Sequence, residues 1–354
     1  MNVAELLTEL VNFRTDQSEA EQAVFLARLL VEWGARVSLT ELAPGRPNLV
    51  ATFTGRDASL SLMLEAHGDT VGGDAPFAAT IRNGCLYGRG ACDAKGSMTA
   101  MLLGIHAVLE QEGLLPVTTH FVSTCNEELG ATGARTLVGS GFRADWCVVG
   151  EPTDLRIVHA HKGAVRVRIR TVGVAAHSSE PHRGVNAIYK MRAVLERLET
   201  WRPRLQHPLL GSPTLSVGTI RGGTQVNVVP AECEVEVDRR LVPGESVEVA
   251  VGEMVDRLDA QSEVSCYYPP LDSDRNAAVA QSLAAACEQV LGRSEFAVAP
   301  YASNAGVFQA AGIPSVVFGP GSAAQAHCRE EFINLAQVSR AAQVFAALIR
   351  NAKR

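Results

Sequence analysis

What most restricts the fold of this sequence is an alternation of short apolar runs with longer segments of helical period at both ends of the chain, broken in the middle by a stretch of different character. Apolar positions Val3, Leu6, Leu7 and Leu10 predict an amphipathic helix, and Ser18 with Glu21 three residues on predicts a capping box opening a second helix that closes at Gly34. Strands are predicted at 48–53, 60–65, 117–123 and 146–149, with helices after Lys95 and Ala131. The rhythm resumes with helices near 276–290 and 305–311, a strand over 315–318 and a terminal helix. Such alternation predicts a mostly parallel sheet covered by helices. Between these parts, residues 165–172 alternate, a helix comes after Gly184, and 214–219, 225–229 and 233–239 read as antiparallel strands. The expectation is therefore an α/β domain interrupted by an inserted α+β domain.

Bulk properties narrow the partners. A chain of 354 residues exceeds the usual size of one compact domain. Its net charge of −6, without a block of Lys and Arg, offers no footprint for nucleic acid or anionic lipid, which leaves a small molecule as the expected partner. No apolar run is long enough to suggest a membrane span, and the start MNVAELLTEL lacks a basic n-region, so the predicted compartment is the cytoplasm. Eight scattered cysteines without a C-x-x-C pair predict reduced thiols, and Cys92, Cys125 and Cys328 are read as packing residues rather than as metal ligands.

In open α/β sheets the ligand site lies beyond the carboxyl ends of the strands. After SLMLEA comes His67-Gly68-Asp69; after the Gly88-Arg89-Gly90 turn comes Asp93; after HFVST come Glu127 and Glu128; after WCVV comes Glu151; and His327 comes after SVVF and a Gly-Pro-Gly turn. Singly, each has an ordinary explanation as a core histidine, a helix cap or a first-turn acid. Jointly, so many acids and imidazoles on one sheet edge call for a cation to offset their repulsion. Imidazole nitrogen mixed with carboxylate oxygen is the donor set of catalytic zinc, and a shared carboxylate permits two ions. One of the adjacent glutamates can then bind metal while the other takes a proton from water; spacing alone does not say which.

Together these residues resemble the co-catalytic zinc peptidases and deacylases that include acetylornithine deacetylase, succinyl-diaminopimelate desuccinylase and carboxypeptidase G. The resemblance runs through EAHGDTV at 65–71, GRGACDAKG at 88–96, NEELGATGA at 126–134, GEPT at 150–153, AAHSS followed by GVNAI at 175–188, GGTQVNVVP at 222–230, and GPG followed by AH at 319–327. It implies a zinc-exopeptidase-like catalytic domain of residues 1–162 and 269–354, with a ferredoxin-like lid and dimerisation domain at 163–268. It also implies two Zn2+ per subunit, with Co2+ or Mn2+ able to substitute. His67 and Glu151 would hold one ion, Glu128 and His327 the other, and Asp93 would bridge, followed by a cis peptide to Ala94. Glu127 would be the general base, and Asp69 would hydrogen-bond the His67 imidazole. His177 would reach across a homodimer to the oxyanion, while Asn227 and Arg240, or Arg239 next to it, would contact the substrate carboxylate.

The implied reaction is hydrolysis of the amide of an N-acyl amino acid, closest in motifs to acetylornithine deacetylase. The alternatives are a dipeptidase or carboxypeptidase of the same chemistry and a metal-binding relative without turnover. Ala94 and Asn304 depart from the common pattern, Asn304 standing where many relatives carry an acid, which weakens any inference of a cationic substrate side chain.

Overall fold

A computed structural model of the protein describes residues 2–73 and 75–353. The chain divides into two compact units. The first comprises the residues up to Ala160, Asp272–Val298, and those from Ser303 on; the second comprises His161–Leu271 with Ala299–Ala302.

The first unit is built on a mixed sheet whose strands run, in spatial order, Arg36–Ala43, Arg46–Phe53, Val117–Thr124, Asp57–His67, Trp146–Val149, Ser315–Val317 and Ile157–His161. The middle of this sheet is parallel, Asp57–His67 lying between Val117–Thr124 and Trp146–Val149, with Ser315–Val317 parallel to the latter. Antiparallel pairs close it on both sides. The central strands are buried almost throughout, as strands covered on both faces must be. Helices Gly96–Glu112 and Leu335–Asn351 pack closely because Gly104 has no side chain: a Cβ there would lie 2.7 Å from that of Phe345.

The second helix starts one residue later than the capping-box reading predicts. It spans Ala20–Glu32, with Glu19 at the N-cap and no side-chain cap bond. Ser18 instead donates to the carbonyl of Gly45 at 2.9 Å, and Glu19 pairs with Arg46 at 3.0 Å. Long-range partners thus displace a local motif.

The second unit has strands Gly163–Val172, Thr214–Gly222, Glu232–Leu241 and Gln261–Tyr268 with helices Ala187–Thr200 and Val247–Val255. Numbered along the unit, the strands are ordered 2-3-1-4 and pair antiparallel, which is the ferredoxin-like β-α-β-β-α-β arrangement. Val165, Val167 and Ile169 face Met191, Val194 and Met254 of the helices in one apolar core. On the other face Arg166, Arg168 and Arg170 pair with Asp238, Glu234 and Glu232. The predicted strand at 225–229 does not form: Val226 and Asn227 make a turn, and only Val228 bridges, to His177. The glycine pair Gly222-Gly223, the second at φ 74°, ends the preceding strand and redirects the chain.

Candidate metal centre

Parallel register brings the site together. His67 ends its strand opposite Thr124, and Glu65 lies opposite Val149 on the other neighbour. The three strands therefore finish at one level, and the residues just beyond them, Glu127, Glu128 and Glu151, emerge beside His67. Gly319, after the adjacent Ser315–Val317 strand, comes so near that a Cβ would lie 2.5 Å from the carbonyl oxygen of Glu151. Asp93 comes from a five-residue turn, Ala91–Lys95, whose backbone leaves helical geometry at Asp93 and Ala94 and whose Asp93-Ala94 peptide is cis.

Asp93 divides its carboxylate between two histidines. Its Oδ1 lies 3.0 Å from His67 Nε2, and its Oδ2 lies 3.5 Å from His327 Nε2. Glu151 Oε2 stands 4.0 Å from His67 Nε2, and Glu128 Oε1 stands 3.0 Å from His327 Nε2. His67, Asp93 and Glu151 form one group able to hold an ion, and Asp93, Glu128 and His327 form a second that shares Asp93. The first group is buried, whereas His327 opens the second to solvent with 55% of its side chain exposed. No cysteine belongs to either group among the described residues: Cys92 bonds the carbonyl of Ser322, Cys125 that of Arg46 and Cys328 that of Ala324. None of the eight cysteines forms a disulfide among the described residues.

The electrostatics fit a cation. Burial holds the Glu127 and Glu151 carboxyls well above the usual carboxylate range, nearby His67 lowers them, and neighbouring acids push them up further. Nearby Lys95 is fully buried, but its Nζ is turned to the carbonyl of Phe13 at 2.8 Å, and burial lowers its amine to about 7. The imidazole nitrogens of His67 and His327 and the carboxylate oxygens of Asp93, Glu128 and Glu151 thus meet in a donor set that suits one or two divalent ions.

Asp69 supports this arrangement in two ways. It reaches His67 through its main chain: Nδ1 donates to the Asp69 carbonyl at 2.9 Å, while the nearer carboxylate oxygen is 3.7 Å away. The carboxylate accepts the backbone N–H groups of Glu127 at 2.9 Å and Glu128 at 3.0 Å.

Two buried networks escape sequence reasoning. Glu331 Oε1 accepts the N–H groups of Cys92 at 2.9 Å and Asp93 at 3.1 Å, while Oε2 accepts Gly90 N–H at 3.0 Å and Arg89 Nη1 at 2.8 Å. Its only sequence signal is an acid four residues beyond His327. Beneath the site, fully buried Glu65 accepts from Thr124 Oγ1 at 2.6 Å and from Asn304 Nδ2 at 2.9 Å, and burial raises its carboxyl. Asn304, read from sequence as a neighbour of the substrate, is 1% exposed and belongs to this interior network.

The remaining expected site residues lie in the second unit. His177 is exposed, and its Nδ1 accepts the Ser179 N–H at 3.2 Å. Asn227 stands alongside, its carbonyl accepting the Ser178 N–H at 3.0 Å. Arg240 holds Asp238 at 2.7 Å. Arg239, the alternative carboxylate donor, is fully buried, bonds Glu245 at 2.6 Å and lies 4.3 Å over the Trp201 ring, so it serves the interior of this unit.

Known proteins share both the sequence pattern and the fold. A family profile described as Peptidase family M20/M25/M40 matches residues 63–351. The chain is 31% identical to an acetylornithine deacetylase of Proteus mirabilis, over 96% of this chain and 91% of the relative. An M20 family metallo-carboxypeptidase from Sulfolobus solfataricus has a similar solved structure, with a TM-score of 0.82 at 20% identity over 99% of both chains. A dinuclear metal-binding M20 peptidase of Bacillus subtilis superposes with a TM-score of 0.68 at 17% identity, over 99% of this chain and 98% of that one.

Proposed function

Because this chain belongs to peptidase family M20/M25/M40 and is a metallo-hydrolase acting on amides, we propose that it removes the acyl group from an N-acyl amino acid at a two-zinc centre. The observation that carries the reading is the Asp93 carboxylate, one oxygen toward His67 and the other toward His327. His67 and Glu151 would hold one ion, Glu128 and His327 the second, and Asp93 both. Divalent ions held there would supply Lewis-acid polarisation of the scissile carbonyl and a more acidic bound water. Mixed nitrogen and oxygen donors favour Zn2+, with Co2+ or Mn2+ as substitutes.

Glu127 is the general base in this reading. Its carboxyl, which burial raises, would accept a proton from the attacking water and pass it to the departing amine. Asp69 holds the backbone from which Glu127 projects. His177 is assigned the oxyanion. With Nδ1 accepting the Ser179 N–H, Nε2 is the ring nitrogen left to donate. Asn227 and Arg240 are assigned to the substrate carboxylate.

The second unit is also assigned to self-association. Thr214–Gly222 is an edge strand, and exposed Val217, Ile220, Ile188 and Tyr189 are apolar groups that a second copy would cover. Eight cysteines without a disulfide among the described residues favour a reducing compartment such as the cytoplasm, and no helix among the described residues is long and apolar enough to cross a membrane.

Two measurements test the reading. Glu127→Gln should keep its metal and lose turnover; full turnover at unchanged metal content sinks the assignment. A panel of N-acyl amino acids against dipeptides, with zinc, cobalt and manganese supplied separately, tests the substrate. Dipeptide cleavage without deacylation would favour the peptidase reading, which the likeness to an M20 carboxypeptidase supports.

A further inference from the structure

We propose that Glu331 is a positioning residue that locks the Asp93 turn to the segment carrying His327, and so sets the affinity of the second, solvent-open metal position in particular. The inference rests on the two-ion reading of the centre.

Glu331 is 2% exposed and takes four donors on one carboxylate: three backbone N–H groups of the 90–93 turn and the Arg89 guanidinium. It belongs to the same segment as His327. That segment is tied to the turn at three more points. Arg89 Nη1 donates to the Cys328 carbonyl at 3.3 Å, Gly88 N–H to the Glu331 carbonyl at 3.1 Å, and Cys92 Sγ to the Ser322 carbonyl at 3.4 Å. The two pieces of chain are more than 200 residues apart in sequence, the Arg89–Glu331 pair being separated by 242. Antiparallel pairing of Cys85–Tyr87 with Phe332–Asn334 brings the two pieces of chain together and ends at Tyr87 and Phe332, next to Glu331; beyond it the turn and the His327 loop are joined by the bonds just described.

The two metal groups differ in what supports them. His67 terminates a long buried strand, and Glu151 lies two residues beyond another, so the first group keeps two of its three members on the sheet. In the second group, His327 stands in a loop at φ 63°, and Asp93 stands in the irregular turn. The Glu331 carboxylate makes four of the hydrogen bonds that fix their mutual placement. A glutamine at 331 would keep the size but turn an amide N–H₂ toward two donors, which disrupts one half of the set.

The test is titration of metal-free full-length protein with Zn2+ alone, using a competing chelator, paired with the absorption spectrum of the Co2+-loaded protein at each equivalent. The wild type should take up two ions. Glu331→Gln should bind the first with unchanged affinity and the second about 10–100-fold more weakly. Its Co2+ spectrum should change only at the second equivalent, and excess metal should restore kcat. Arg89→Gln, which removes one of the four donors, is expected to shift the second affinity in the same direction while leaving the fold intact by circular dichroism. Unchanged second-ion affinity in both variants overturns the proposal, as does equal loss at both positions. A wild type that binds a single ion removes the two-ion reading and this proposal with it; two ions in the wild type with no selective loss in the variants removes the proposal alone.

Discussion

The carboxylate of Asp69 accepts the backbone N–H of Glu127 at 2.9 Å, and its other oxygen accepts the N–H of Glu128 at 3.0 Å. One buried acid therefore fixes the origin of both glutamates, although it lies on a different strand end. Asp69→Asn should then act mainly through the base. We expect kcat to fall by roughly 10²-fold with zinc stoichiometry unchanged, within the range a positioned base contributes. Steady-state kinetics with metal analysis checks this; loss of the His67 ion with kcat per bound metal preserved would show that Asp69 acts on the imidazole instead.

Neighbouring arginines in the second unit should behave oppositely. Arg239 is fully buried against Glu245, itself largely buried, so Arg239→Leu leaves an unpaired interior carboxylate and is expected to cost about 3–5 kcal/mol. Arg240 is partly exposed, and Arg240→Ala should leave the denaturation midpoint almost unchanged while raising KM. Chemical denaturation and kinetics on the two variants separate these outcomes; a stable Arg239→Leu protein with raised KM would reverse the assignment.

A buried histidine sets the acid limit. His161 is fully buried with Nδ1 donating to the Lys162 carbonyl at 2.9 Å, and burial depresses its pKa from 6.5 to about 4. The folded ring resists a proton that the unfolded ring accepts. Its contribution is complete above pH 6.5 and is lost as pH falls through about 4, to a total of about 3 kcal/mol. His161→Asn should flatten the difference in unfolding free energy between pH 7 and pH 4 relative to the wild type. Parallel curves for the two proteins would dismiss the effect.

Gly319 should tolerate no side chain. A Cβ would sit 2.2 Å from Ser97 Oγ and 2.5 Å from the Glu151 carbonyl oxygen. Gly319→Ala is expected to lower stability by about 1–3 kcal/mol, as overpacking does, and to weaken the ion held by His67 and Glu151. Thermal melts with and without zinc measure both; a variant as stable as the wild type, with unaltered zinc affinity, contradicts the packing account.

Much of the candidate centre is legible in the sequence because its residues come directly after apolar strands. His67, Glu127, Glu128 and Glu151 sit at or within a few residues of the ends of predicted strands, and parallel strands of one sheet finish side by side. Apolar runs are local signals, so the helices and central strands are also found close to where they are predicted. Ser18, Asn304 and Arg239 resist the same treatment. Each has an ordinary local reading, as a cap, a neighbour of the substrate or a carboxylate donor, and each is taken by a partner distant in sequence or held in a packed interior.

By itself the sequence determined the strand–helix alternation, the inserted α+β unit and the side chains available at the sheet edge, since these depend on hydrophobic period and on the residues at the end of each strand. Only the tertiary structure decided that Asp93 turns one oxygen to each histidine, that Asp69 carries the glutamates and that Glu331 joins two loops 238 residues apart at Asp93. Those relations are hydrogen bonds with acceptors chosen by three-dimensional register. No spacing along the chain encodes which buried carboxylate will face which free N–H.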